Sequence, residues 1–350
     1  MPASFPNRMI SLRILAAFLF ISILGITACQ KNKNGGSEPT KETAQPAPTD
    51  RLLSVANVYY LNGSNAEAWF FETPLVFEFN TNTERGRLNY EALQYAKEHK
   101  LPVNVRLAPY SENRIDQIIP ATAEQIERFN EEVSKRVPAE AAPSPDDPNA
   151  PFFGGSQTSS LVSYIPNTTV LNNIFSTIKS QCCRAPGVLI YGPRIPFQFV
   201  ADGCYARAHK MRQLIEDYYG YQSYKVFNFA CNGAGTLSVK ATLWGNNCCV
   251  KWWYHVTSYV YVQTASGPVA YAIDPAMFNV PVSISSWVAA QKNLTCGYNG
   301  AAQGQAYYYS NAYTPGFPSA SCTISPAADN TYTAANNTCT SYCPKLGCSF

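Results

Sequence analysis

Beyond residue 160 the chain is nearly bare of acids and histidines: Asp202, Glu216, Asp217, Asp274, Asp329, His209 and His255 are all it has. Acid–base chemistry in that half must draw on these few side chains and on cysteine. Cysteine, in turn, is missing from residues 30–181, which excludes a disulfide framework there. Charge is scarce overall and the formal net charge is only +3, so no global attraction to nucleic acid is expected. The longest apolar run, Ile14 to Ile26, is short for a membrane span. No P-loop, HExxH pair or dinucleotide glycine fingerprint is present.

The 350 residues suffice for two modest domains, or for a leading segment and one good core. Residues 30–160 carry 13 Lys/Arg against 18 Asp/Glu, and residues 161–350 carry 11 against 5. Halves of opposite sign attract each other, which favours docking. At the N-terminus, Arg8 and Arg13 precede the apolar run, and Gly25-Ile26-Thr27-Ala28-Cys29 resembles a bacterial lipobox. We therefore expect a lipoprotein signal peptide over 1–29, lipid attachment at Cys29, and a hydrophilic tether over 30–50. The plainer alternative is a secretory signal cut after Ala28. Either way the protein is exported; the anchored form sits on a bacterial membrane, at the outer membrane or cell surface or facing the periplasm.

Twelve cysteines are present, and all but Cys29 lie between 182 and 348. In an oxidising compartment most of these eleven pair, and an odd number leaves at least one thiol over. The doublets Cys182-Cys183 and Cys248-Cys249 do not have zinc-ligand spacing, so no metal is expected.

In residues 51–137, Val76–Phe79 and Val103–Leu107 alternate as half-buried strands, with helical composition between them over Leu88–His99. Thr122 and Gln125 have capping-box spacing and open a helix to about Lys135. This reads as a small α/β domain. Residues 138–160 are rich in Pro, Gly and Ser and read as an exposed, protease-sensitive linker. The second domain, 161–350, starts with a helix over Thr169–Lys179. A second helix begins near Cys204 with Asp202 as its expected N-cap and stops at Gly220. A strand over Val250–Val262, a turn at Thr264–Pro268 and a returning strand over Val269–Ile273 follow, and the tail from Ala301 reads as loops.

A cysteine in the first turn of a helix faces unpaired N–H groups and the positive end of the helix dipole, both of which favour thiolate. Cys204 has that place, and the same N–H groups suit an oxyanion. His209 lies about 140° round the helix axis from it, too far to face the thiol well. His255 lies in the Val250–Val262 strand, and the hairpin brings Asp274 back nearly opposite, within an offset of one or two residues. A helix-borne Cys204 with His255 and Asp274 on adjacent antiparallel strands matches a Cys/His/Asp triad in an α+β, papain-like or transglutaminase-like catalytic domain. The bland alternatives are a bridged cysteine, a satisfied core histidine and a turn aspartate before Pro275.

The run Asp202-Gly203-Cys204-Tyr205-Ala206-Arg207-Ala208-His209-Lys210-Met211-Arg212 resembles the active-site helix of the bacterial protein-glutaminase (protein-glutamine deamidase) family. Cys248-Cys249-Val250, Tyr254-His255-Val256 and Ile273-Asp274-Pro275 are similar to its histidine and aspartate segments in the same order, and Ile165–Gln181 and Gly347–Phe350 are similar too. More weakly, Leu101–Leu107 and Glu124–Phe129 resemble the family's pro-segment. The resemblance implies catalytic Cys204, His255 and Asp274, and an inhibitory pro-domain over 51–137 released by cleavage in 138–160. The Cys182-Cys183 doublet, the long linker and the lipobox depart from the family pattern.

The expected activity is deamidation of protein-bound glutamine to glutamate and ammonia through a Cys204 thioester, without metal or cofactor. The expected partners are glutamine-bearing proteins or peptides, an activating protease and a membrane, but no nucleic acid; the expected state is a monomer. The alternatives are transglutaminase-like transfer to amines, a cysteine protease, and a non-enzymatic Tyr/Trp-rich surface lipoprotein whose binding face holds Trp252, Trp253 and Tyr307–Tyr309.

Overall fold

Alternating apolar residues build the first sheet of the computed structural model, which describes residues 50–348 apart from 62, 112, 136, 139–160, 184, 186–187, 231–234, 299–304, 310–326 and 329–331. The signal, Cys29, all of the tether but Asp50 and nearly all of the linker therefore lie outside the described residues. Strands β1 (Arg51–Tyr60), β2 (Asn65–Phe70) and β3 (Thr73–Asn80) form an antiparallel meander. Helix α1 (Glu84–His99) starts at Thr83, whose hydroxyl accepts the Gly86 N–H, and ends at Lys100 in the left-handed region. Strands β4 (Pro102–Leu107) and β5 (Ile115–Pro120) extend the sheet beyond β1. Helix α2 (Ala123–Ser134) carries the full Thr122/Gln125 capping box expected from the spacing. Strand β6 (Val137–Pro138) closes this half.

The C-terminal half opens with α3 (Thr168–Ser180), whose Leu171, Ile174, Phe175 and Ile178 are buried at helical spacing. Helix α4 (Cys204–Gln213) continues into a π-helical turn, Leu214–Tyr218, before Gly220 at φ +73°. Strands β7 (Tyr224–Phe229), β8 (Leu237–Ala241), β9 (Cys248–Trp252), β10 (Tyr254–Thr264), β11 (Gly267–Ile273) and β12 (Val282–Ser283) follow, then α5 (Ile284–Ala289). The remaining elements are β13 (Gln305–Tyr309), β14 (Ala327–Ala328) and α6 (Tyr332–Tyr342).

Two expectations need correction. The tail holds a helix and short strands, not loops alone, and α6 packs into the main core through Ala335 and Cys339. The single strand expected over Val250–Val262 is broken at Trp253, and its two parts serve different sheets. β9 joins the order β5-β4-β1-β2-β3-β9-β8, whereas β10 lies inside β12-β11-β10-β7-β13. An apolar run shows that a segment is buried, but not which sheet its backbone joins.

The first of these sheets spans both halves of the chain, through the pair Leu75↔Trp252. Around that seam the Trp253 N–H donates to the Pro74 carbonyl (3.0 Å), and its indole N–H is shared by the carbonyls of Phe70 (3.1 Å) and Thr73 (2.8 Å). Trp69 stacks on Trp253, so Trp69, Phe71 and Val76 share one core with the residues around Cys204. Disulfides Cys248–Cys348 and Cys249–Cys296 fasten β9 to the tail and to the segment after α5, and Cys183–Cys343 ties the end of α3 to α6. The second residue of the departing doublet is thus bridged, while Cys182, Cys204 and Cys339 are the thiols left among the described residues.

Candidate active site

Cys204 is the first residue of α4, and the residue before it must be glycine. Gly203 has φ +77°, and a Cβ there would come within 2.7 Å of the Tyr342 ring. Asp202 does not cap the helix as expected: Gly203 occupies the N-cap position without a side-chain bond. The Asp202 carboxylate instead accepts the Gly203 N–H (2.6 Å) and the Tyr342 hydroxyl (2.7 Å). Arg207, buried one turn along, donates through Nη1 to the carbonyls of Phe199 (2.8 Å) and Asp202 (2.6 Å) and so holds the entry to the helix.

Helix α4 lies on β10, where the Ser258 hydroxyl donates to the Ala208 carbonyl (2.7 Å). The β10–β11 register runs from Thr264↔Gly267 to Ser258↔Ile273. Continued by one step it puts Asp274 opposite Thr257, two residues from His255 and on the same face. The side chains close that diagonal, with His255 Nε2 and Asp274 Oδ2 2.8 Å apart. The Trp287 indole N–H from α5 donates to the same oxygen (2.9 Å). The imidazole stacks on Trp252 (centroids 4.3 Å apart) and on Trp287 (5.4 Å). Its Nδ1 is buried without a hydrogen-bond partner among the described residues, so no bond joins it to the thiol.

Electrostatics at the site follow from burial. Cys204 is 1% exposed, and desolvation pushes its thiol up to about 12 against the opposing pull of the Arg207 charge and a Val256 backbone N–H. The thiolate expected from the helix start alone is therefore not the form held here; desolvation outweighs the dipole. Burial lowers His255, with the Asp274 bond opposing. For Asp274, burial works upward, but His255 and the Trp287 N–H together hold the carboxyl below the usual aspartate value. His209 points elsewhere, to the buried Lys225 (2.6 Å), and is lowered to about 2 by burial and by that neighbouring charge.

Trp252, Arg207 and Trp287 belong to the surroundings of this cluster and were not singled out from the sequence for that role. Trp287 lies 13 residues beyond Asp274 on another element, a spacing that carries no local signal.

A family model described as Glutaminase matches residues 171–291, a span that contains Cys204, His255, Asp274 and Trp287. The chain is similar to a crystal structure of pro-protein-glutaminase at 28% identity, over 86% of this chain and 95% of that one, with a TM-score of 0.65. A mutant of that pro-protein matches at 28% identity, over 86% and 96%, with a TM-score of 0.64. Protein-glutaminase from Chryseobacterium proteolyticum is 34% identical over 54% of this chain and 94% of its own, with a TM-score of 0.44. No curated protein sequence matches the chain. The match on the Cys204–Trp287 region, and the likeness to pro-protein-glutaminase along most of both halves, lead to one conclusion: the chain belongs to the protein-glutaminase family and has the layout of its pro-enzyme.

Proposed function

We propose that the chain is the latent form of an enzyme that hydrolyses the side-chain amide of protein-bound glutamine, using Cys204, His255 and Asp274 in an α+β, transglutaminase-like or papain-like arrangement. The observation that carries this reading is the His255 Nε2–Asp274 bond of 2.8 Å, which leaves Nδ1 as the nitrogen available to the thiol. Asp274, steadied by Trp287, orients the imidazole. Nδ1 takes the Cys204 proton, and sulfur attacks the carboxamide carbon. First-turn N–H groups of α4 face the oxyanion. His255 passes the proton to the departing nitrogen, and ammonia leaves a thioester. Water, deprotonated by His255, then hydrolyses the thioester to glutamate and free thiol. None of these steps calls on a metal or cofactor.

Latency follows from burial. Residues 51–137 act as an inhibitory pro-domain whose 70–75 stretch is bonded to Trp253 and paired with Trp252, the ring that stacks on His255. Cleavage in 138–160 frees the catalytic domain, 161–350. We further propose that Cys29 anchors the protein in a membrane after removal of the signal; an unmodified Cys29 in the mass spectrum of the mature chain would sink the anchor.

The test of the activity is ammonia release from a glutamine-rich protein, measured before and after limited proteolysis in 138–160. Release is expected only after cleavage, and Cys204→Ala should abolish it. Ammonia from the Cys204→Ala variant would refute the assignment. A labelled amine added to the same assay reports transglutaminase-like transfer by its incorporation.

A further inference from the structure

Asp202 is one of only five carboxylates beyond residue 160, and it immediately precedes the Gly203-Cys204 turn. Its side chain is buried, yet its cationic partner comes from the N-terminal half: Arg51 Nη2 lies 3.4 Å from Oδ2. Among the described residues no other lysine or arginine forms an ion pair with it. Arg207, the nearest cation on the same helix, donates Nη1 to backbone carbonyls instead. Lys345 lies over the rings of Tyr342 (5.3 Å) and Phe199 (5.2 Å). The Tyr342 hydroxyl completes the cup by donating to the oxygen that Arg51 approaches.

This cup adjoins the reacting groups. The indole N–H of Trp252, the ring stacked on His255, donates to the carbonyl of Ala201, the residue before Asp202. Arg51 also belongs to the half whose Trp69, Phe71 and Val76 share a core with Cys204. It opens β1, whose Ser54 carbonyl accepts the Phe71 N–H within the 70–75 stretch at the seam. When residues 51–137 leave, Asp202 loses its cation while still walled by Gly203, Tyr342 and the start of α4. A carboxylate left in such a place with its two hydrogen bonds but no cation is costly, and a new cation there is correspondingly favoured.

We propose that Asp202 and the Tyr342 hydroxyl form a subsite for a basic side chain, arginine or lysine, lying near the target glutamine in the substrate, with Arg51 filling that subsite in the uncleaved chain. The subsite rests on the glutaminase reading above and adds a substrate preference to it. Arginine suits it best, because its planar guanidinium presents several N–H donors in a fixed fork that matches a carboxylate.

The experiment uses the full chain activated by proteolysis in 138–160. Glutamine peptides carrying Arg, Ala or Glu at each of the two positions on either side of the glutamine are compared by kcat/KM for ammonia release. At one position Arg is expected to exceed Ala by about five- to tenfold, with Glu below Ala, as a partly buried ion pair would give. The advantage should shrink in high salt. In Asp202→Asn the Arg/Ala ratio should fall to within about twofold of one, whatever the variant does to the absolute rate. The wild-type ratio and its salt dependence stand even if that variant folds poorly. Equal rates for Arg and Ala peptides in the wild type would overturn the subsite and leave the glutaminase reading intact, as would a preference that survives Asp202→Asn. No ammonia from any peptide would overturn both.

Discussion

At Cys204 two physical effects compete, and their sizes decide the outcome. A helix start favours the thiolate by roughly 0.3–1 kcal/mol, up to about 2 in partly buried geometries. Desolvation at 1% exposure pushes the thiol up to about 12. In the uncleaved chain, alkylation of Cys204 by iodoacetamide should be slow at pH 8 and keep rising with pH, with no plateau below pH 10. After cleavage in 138–160 the rate at pH 8 should increase by at least about 100-fold, measured by mass spectrometry of the Cys204 peptide. Equal rates before and after cleavage would contradict latency by burial. Trp287 is a second residue-scale test. Trp287→Phe keeps much of the ring contact with His255 but removes the N–H that Asp274 accepts. A hydrogen bond to a charged group contributes about 1.5–3 kcal/mol, so kcat of the activated enzyme should fall at least about tenfold.

Among the elements, the break at Trp253 has the widest consequence. Its indole N–H and backbone N–H hold three carbonyls of the N-terminal half, at Phe70, Thr73 and Pro74. Trp253→Phe deletes the two indole bonds while keeping an aromatic ring against Trp69 and Phe71. The uncleaved variant is expected to label at Cys204 about five- to thirtyfold faster than the wild type, the factor for about 1–2 kcal/mol of lost hold on the covering stretch. An unchanged labelling rate would show that packing, not these bonds, seats that stretch. The β10–β11 hairpin presents the opposite case, because the turn at Thr264–Gly267 and a two-residue diagonal were nearly legible from spacing. A hairpin is a local structure, so its register follows from its own turn.

Across the whole molecule, net charge is a poor guide to how the halves meet. The acidic half supplies an arginine to an acid of the basic half at Arg51–Asp202, while Glu67 lies near Lys251 in the expected sense. Glu67 is buried, and desolvation raises its carboxyl from 4.5 to about 7, with the Lys251 charge opposing. A carboxyl raised in the folded state adds stability below pH 4.5 that is lost as pH rises through about 7. Glu67→Gln should therefore stabilise the uncleaved chain at pH 8, on the order of 1–3 kcal/mol, with less effect at pH 5. Thermal melting at the two pH values checks this, and equal effects at both would refute it.

Local chemistry alone determined much of this protein. The Thr122/Gln125 capping box, the apolar stripe of α3, the β10–β11 turn, the place of Cys204 at a helix start and the nearness of His255 to Asp274 all follow from short-range spacing or from the scarcity of acids and histidines. Tertiary structure decided the rest. It sent β9 and β10 to different sheets, replaced the Asp202 cap by Gly203, and brought Trp287 to Asp274 and Arg51 to Asp202. It also turned the thiol expected to ionise at the start of α4 into one held protonated. Those outcomes depend on desolvation and on contacts between residues up to 183 positions apart, and neither leaves a periodic trace along the chain.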